Sequence, residues 1–535
     1  MKQPLQKIYS LLRGKLLVIF ALASIFQLQN NIASGATLIV TNTNDSGSGS
    51  LRDQIGAASA DDTIRFDNAL DGIPISLSSQ IDVTFTLYIF GNGSSNTILE
   101  GGGSSRILHV SSTGYVRIYN IKIANGYSIL DNGGGLLNEG HLTFYTCLFE
   151  NNVADGFGGL IYNTGYLFLD HCSVQNNLAS GNSGGAIFSG IGSELYVYFS
   201  TLSGNHAAGF GGAISGGGAF DLNTSTFSGN SCGAGGGAIH SEGSLNLINS
   251  TVAYNESSAD AGGLDNYSGS LTMINTILSN NAASGGSGQD AANAGIIDGS
   301  SEYNIVSNNT GFGLTGLGNQ LDVDPLLDLL ADNGGLTQTH ALLCGSPAID
   351  AGIPNANSYF DQRDEVRSLF PDIGAYEFFA PDYSVTVSGY TITAVLTGAL
   401  YQWIDCNPNT PIAGEIGASF TAATNGSYAV IISSNGCSDT SICTPITTIG
   451  ISPVEQFDGV QLYPNPVHSE LNIVSSSETE IESATIRTLT GQTIALAMIS
   501  DKHSLHFNAS SLQTGFYIAE IHSAKSVIRI KFVKK

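Results

Sequence analysis

A few stretches of this sequence carry residues whose types and spacing could do chemistry. Arg117, Tyr119 and Lys122 place two cations and a phenol close together, and alternation puts them on the solvent side of an early rung. A polysaccharide lyase would use such a set, because it must neutralise an acidic sugar and abstract the adjacent proton, commonly beside Ca²⁺ and with a basic side chain. A glycoside hydrolase would need paired carboxylates instead. Asp170 and Glu194 fall on neighbouring repeats, with His171 beside Asp170, but they do not share a column. Asp322, Asp324, Asp328 and Asp332 could hold Ca²⁺, yet their spacing is looser than that of a tight Ca²⁺ loop and suits turn capping. No cofactor is therefore expected, with Ca²⁺ as the alternative. Phe168 and Tyr196 offer binding rather than catalysis: rings on a flat, hydroxyl-rich sheet suit stacking on sugars or on a partner surface.

The elements that must position these residues are set by a repeat. Glycine pairs begin at Gly134, Gly158, Gly184, Gly211, Gly236 and Gly262, and asparagines follow at Asn152, Asn177, Asn205, Asn230, Asn255 and Asn281. Ten residues before each asparagine stand Leu142, Leu167, Leu195, Phe220, Leu245 and Leu271. Eight before it stand Phe144, Leu169, Val197, Leu222, Leu247 and Met273, and three before it Phe149, Val174, Leu202, Phe227, Val252 and Leu278. Within a unit the apolar positions alternate with period two, so they predict three strands with one buried face. Units this short cannot bury a core alone and must stack, at ~4.8 Å per turn, into a parallel β-helix. Parallel crossovers favour the right-handed coil. The glycine pairs and the asparagine column are both read as bends, since Asn tolerates the left-handed conformation.

The outward column nine before the asparagine reads Thr143, Phe168, Tyr196, Asp221, Asn246 and Thr272, which makes Phe168 and Tyr196 neighbours one rung apart. Five before it, Cys147 and Cys172 share a column that continues as Ser200, Ser225, Ser250 and Thr276. One ladder spacing lies within disulfide range, and two stacked free thiols fit the column equally well. Among Cys406, Cys437 and Cys443 one pair is expected to bridge, and no Cys or His spacing suggests zinc.

Charge narrows the partners. The chain holds 18 Lys and Arg against 44 Asp and Glu, a formal net charge of -26. No Lys or Arg occurs from residue 123 to residue 362. Such a surface repels nucleic acid and polyanions, which need basic contacts. The N-terminus has Lys2, Lys7, Arg13 and Lys15, an apolar run from Leu16 to Phe26, and then small residues. This reads as a secretory signal peptide spanning 1–36, its run shorter than the ~20 residues of a membrane span. No transmembrane span is expected in the mature chain.

The repeat in 37–324, with its "GGAI" and "NN" turn phrases, resembles the secreted right-handed β-helix proteins of the pectate-lyase-like and polymorphic outer-membrane-protein kind. "DPLLDLLADNGGLTQTHALLCGSPAIDAG" with "DQRDEV" and "DIGAYEF" is similar to the ending of a bacterial surface β-helix group with interchangeable C-terminal anchors. Residues 325–378 are read as the solenoid's cap. "YSVTVSGYTITAVLTG" and "GSYAVIISSNG" predict a small Ig-like β-sandwich over 380–447, followed by a linker at 448–460. "LYPNPVHSELNIV", "IRTLTGQTI" and "LQTGFYIAEIHSAKSVIRIKFVKK", in 461–535, resemble the C-terminal sorting domain of the type IX secretion system of Bacteroidetes. That resemblance implies handling by the type IX machinery, removal of the tail, and an extracellular or outer-membrane-surface location. The resulting expectation is an all-β, displayed rod acting as an adhesin or glycan- or partner-binding protein. The alternative is a lyase or hydrolase of the pectate-lyase-like fold.

Overall fold

Residues 35–285, 288–354, 359–434, 436–447, 460–475, 480–501, 503–523 and 526–535 are described by a computed structural model. The signal-peptide segment, apart from Gly35 and Ala36, and residues 448–459 of the linker lie outside them. The chain divides into two units. The first runs to Ala380 and includes Cys437; the second comprises Pro381–Ser434 and Ser438–Lys535.

The first unit is a parallel β-solenoid of about ten turns. Each full turn carries four strands rather than three, as in Leu136–Asn138, His141–Tyr145, Leu148–Glu150 and Val153–Ala154. Stacking these in order gives four sheets, which among the described residues hold nine, eleven, eleven and seven strands. The sheets are called first to fourth below. Strands of the fourth are two residues long, too short for alternation to reveal them. The register is the one the columns demand: Leu142, Leu167, Leu195, Phe220, Leu245 and Leu271 pair in succession and are all buried.

The corners differ from the sequence reading. The asparagine column does not itself bend the chain. The left-handed residue is the one before it: Asn151, Asn176, Gly204, Gly229, Tyr254 and Asn280. Each asparagine turns inward. The Nδ2 of Asn152, Asn177, Asn205, Asn230 and Asn255 donates to the Oδ1 of the next asparagine, at 2.9 Å in every case. Asn281 closes the ladder on the buried Asp290 carboxylate at 3.0 Å. Glycine is required in the opposite corner. At Gly211 φ is +64° and a Cβ would stand 2.1 Å from the Ile214 carbonyl oxygen.

Of the two arrangements open to the cysteine column, the structure has the free thiols: Cys147 and Cys172 are not bridged, and both are buried. The reason lies in what the column does. In its serine rungs the hydroxyl accepts the backbone N–H of the preceding rung, as Ser200 does from Cys172 at 2.9 Å. The two thiols likewise turn to the backbone, Cys147 Sγ to the Tyr145 carbonyl at 3.3 Å and Cys172 Sγ to that of Asp170 at 3.4 Å. The disulfides formed are Cys406–Cys443 and Cys344–Cys437.

One helix, Leu51–Ala57, begins at the Ser50 N-cap and sends Leu51 and Ile55, four apart on one face, into the solenoid core. Beyond the last full turn Phe312 and Leu314 are buried in the same core. The described residues of 325–378, a segment expected as a cap, run back as a strap along the outside of the third sheet. They open with an antiparallel pair, Leu327–Ala331 and Thr339–Leu342. Leu327, Ala341, Leu342, Ile373 and Tyr376 cover Ala253, Ile277 and Ile305, an apolar strip that would otherwise face water.

In the second unit, two antiparallel sheets enclose Trp403, Phe420, Tyr428 and Val430, giving the small sandwich. The C-terminal module has two four-stranded antiparallel sheets around Leu471, Ile473, Ile486, Ala519 and Phe532.

Candidate ligand-binding face

The second sheet has the longest strands in the solenoid, and period-two alternation gives each rung three outward residues. The central outward column runs Tyr88, Arg117, Thr143, Phe168, Tyr196, Asp221, in continuous register. Phe168 and Tyr196 are therefore direct cross-strand partners, as their spacing predicts. Both are half-buried, and their rings stand 6.3 Å apart at 55°, so they do not make a flat strip by themselves.

They belong to a wider aromatic face. On one side Tyr115, His141 and Tyr166 stack at 4.0 Å per step, and Tyr166 meets Tyr196 at 5.1 Å. On the other side Phe90, Tyr119 and Tyr145 stack at 4.4 and 4.7 Å. Phe168 links that row to Tyr198 at 5.4 Å. Two ladders of rings thus flank a central column in which Thr143, a short side chain, leaves the floor low. Sequence reasoning stopped at the central column and missed the rows. The same alignment, read eleven and seven positions before the asparagine, contains His141, Tyr166, Tyr145 and Tyr198.

Burial shapes the chemistry of this face. It pushes the Tyr145 hydroxyl up to about 12, and together with the Glu194 hydrogen bond does the same for Tyr196. Tyr119, Tyr166 and Tyr198 move in the same direction, chiefly by burial. These phenols stay protonated at neutral pH and can donate hydrogen bonds. His141 is held below its ordinary value by burial and then by the Arg117 charge, so it is neutral.

The lyase-like cluster is split. Arg117 and Tyr119 lie on the second sheet, whereas Lys122 lies on the third, ion-paired with Glu150. Arg117 donates to the Tyr115 hydroxyl at 2.7 Å and lies against the Tyr115 and Tyr88 rings at 5.2 and 6.0 Å. The hydrolase-like carboxylates are also separated. Asp170 pairs with Tyr198 at one end of the strand, and Glu194 pairs with Tyr166 at the other. Four residues plus one rung put their Cα atoms roughly 14 Å apart, against the ~5 to 9.5 Å between the carboxyl groups of glycosidases.

His171 serves the strap. Its Nδ1 meets Asp170 at 2.7 Å and its Nε2 meets Asp364 at 3.2 Å. Burial opposes its charge, but the two carboxylates raise its pKa to about 9. The aspartates considered for Ca²⁺ each cap a backbone N–H: Asp322 that of Asn309, Asp324 that of Leu326, Asp328 that of Leu329 and Asp332 that of Gly334. Among the described residues no three His, Cys, Asp or Glu side chains converge on a metal position. The "DQRDEV" and "DIGAYEF" phrases build the interior of the strap. Gln362 bonds Thr201 and Thr226 of the third sheet, Arg363 forks onto the buried Asp361, and Arg367 faces Glu377.

Residues 461–535 match the family model of the secretion system C-terminal sorting domain. The protein is exported through the type IX machinery to the cell surface or the extracellular space. No curated protein matches the chain. No helix among the described residues is long and apolar enough to cross a membrane.

Proposed function

We propose that the solenoid is a saccharide-binding adhesin, displayed or released by type IX secretion, whose ligand lies along the outer face of the second sheet. The observation that carries this reading is the pair of aromatic ladders around Phe168 and Tyr196. Flat, half-buried rings beside protonated phenols offer the stacking surface and the hydrogen-bond donors that a pyranose needs. Binding rather than turnover is supported by the separation of Lys122 from Arg117 and of Asp170 from Glu194. The glycan class of partner is supported over polyanionic macromolecules by the acidic surface. Arg363 and Arg367, the two basic residues between 123 and 486, are buried in ion pairs.

The test is retention of the full secreted chain on immobilised saccharides, with released reducing ends and unsaturated products measured in parallel. Retention without product, lost in the double variant Phe168→Ala, Tyr196→Ala, is the expected outcome. Product release by the wild-type chain would replace this reading with the lyase or hydrolase one.

A further inference from the structure

The aromatic face is electrically polarised, and the polarity lies along one column. The described basic residues of the solenoid and strap fall into two groups. Arg52, Arg106, Lys122, Arg363 and Arg367 are each paired with a carboxylate, of Asp45, Asp131, Glu150, Asp361 and Glu377 respectively. Arg65 and Arg117 have no carboxylate partner among the described residues. Both sit on the outer face of the second sheet, Arg65 over the Phe90 ring at 4.9 Å and Arg117 between Tyr115 and Tyr88. In a unit so rich in acid, two unpaired guanidinium groups on one face are an uncompensated feature.

The other end of the face carries the opposite charge. Glu194 and Asp221 point outward from the second sheet with no cation on them among the described residues, whereas Asp170 is paired with His171, and Asp221 stands in the same column as Arg117, with Thr143, Phe168 and Tyr196 between them. Four rungs at ~4.8 Å separate the two by roughly 19 Å. Three polar atoms of this column are buried without a hydrogen-bond partner among the described residues: Arg117 Nε, Thr143 Oγ1 and Asp221 Oδ1. Unpartnered buried polar atoms are uncommon in folded proteins and call for a reason. Here they lie at both ends and in the middle of one line of side chains. Burial also raises the Asp221 pKa, the mark of a carboxylate lacking a cation.

We infer that the ligand of this face is an amphoteric saccharide, with an anionic group at Arg117 and a free amine at Asp221, its sugar rings lying over Phe168 and Tyr196. A planar guanidinium matches the fork of a carboxylate or sulfate, and an ammonium group pairs with a carboxylate that lacks a cation. A neutral glycan would leave both ends unmatched. A polyanion would be repelled by Glu194 and Asp221.

This inference rests on the saccharide-binding reading, and the test separates the two. The full secreted chain is measured by titration calorimetry against octasaccharides of maltodextrin (neutral), hyaluronan (acid only), chitosan (amine only) and N-deacetylated hyaluronan (acid and amine). The last should bind tightest. Arg117→Gln should weaken it about tenfold, the loss of one charge-assisted hydrogen bond, and bring it to the level of chitosan. Asp221→Asn should bring it to the level of hyaluronan. Asp221→Asn keeps the side chain's size and Arg117→Gln shortens it, and unchanged melting temperatures would show that each variant is folded. Binding of maltodextrin as tight as that of N-deacetylated hyaluronan, with both variants unaffected, would overturn the amphoteric ligand and leave the saccharide reading standing. No binding of any of the four would overturn both. Binding that survives Phe168→Ala, Tyr196→Ala but not Arg117→Gln would overturn the proposed placement of the sugar rings.

Discussion

Replacing Asn205 by Ala should be among the most damaging single changes available in the solenoid, although it removes only a small polar side chain. Asn205 Oδ1 accepts from the Asn177 backbone N–H at 3.0 Å and from Asn177 Nδ2 at 2.9 Å. Its own Nδ2 donates to the Val174 carbonyl at 3.0 Å and to Asn230 Oδ1 at 2.9 Å. All four bonds are buried. Truncation would strand the Asn177 N–H, at ~1 to 3 kcal/mol, and remove the bonds to Asn177 Nδ2 and to the Val174 carbonyl, at about 1 kcal/mol each. The sum, roughly 4 kcal/mol, divided by an unfolding entropy of roughly 0.7 kcal/mol/K for a unit of this size, gives a drop of about 6 °C in melting temperature. Asn246→Ala is the control, the same chemical change on an exposed outward position of the second sheet. It should shift the melt by about 1 °C or less. Differential scanning calorimetry of both variants tests the argument. Equal shifts would mean that the ladder bonds contribute nothing beyond solvation.

Three further outcomes are expected. The His171 clamp holds its proton more tightly folded than unfolded, so its stabilisation, on the order of 3 kcal/mol, is complete below pH ~6.5 and lost as pH rises through about 9. Melting temperature should fall over that window in the wild-type chain and be flatter in His171→Gln; parallel curves would remove the clamp from the account. Burial raises the Cys172 and Cys232 thiols above their ordinary range, so a thiol reagent should leave them unlabelled in the native chain and react in denaturant. Native labelling would contradict the dry interior. Deleting 461–535 should leave the solenoid's circular dichroism unchanged and hold the protein in the periplasm, because that module has its own core. Cell fractionation finding normal surface levels would refute the export role.

The parts of the fold that repeat locally were legible from sequence. The columns led by Leu142, Phe144 and Phe149 gave register, burial and sheet direction, because a buried apolar position leaves the same mark in every rung. The corners were less so. Asn205 is an interior ladder residue, while the left-handed position one before it is Gly204 there and Asn176 in the rung before; identity alone could not separate bend from ladder. The strap was illegible for a different reason. Gln362 meets Thr201 and His171 meets Asp364, contacts between residues far apart in sequence that leave no periodic trace. Of the candidate face, Phe168 and Tyr196 are legible because their outward column keeps a fixed distance from the asparagine in every rung. Arg117, which lies close to Lys122 in the sequence, shares that column with them, a register that the less regular early rungs hide.

Hydroxyl-radical footprinting of the full secreted chain, with and without the best-retained saccharide, tests the central claim most directly. Ligand should protect Tyr119, Tyr145, Tyr166, Phe168, Tyr196 and Tyr198 together, while Tyr162 and Phe188 on the first sheet and Tyr254 under the strap keep their labelling. Protection of the first-sheet rings with the second-sheet rings unchanged would contradict the account.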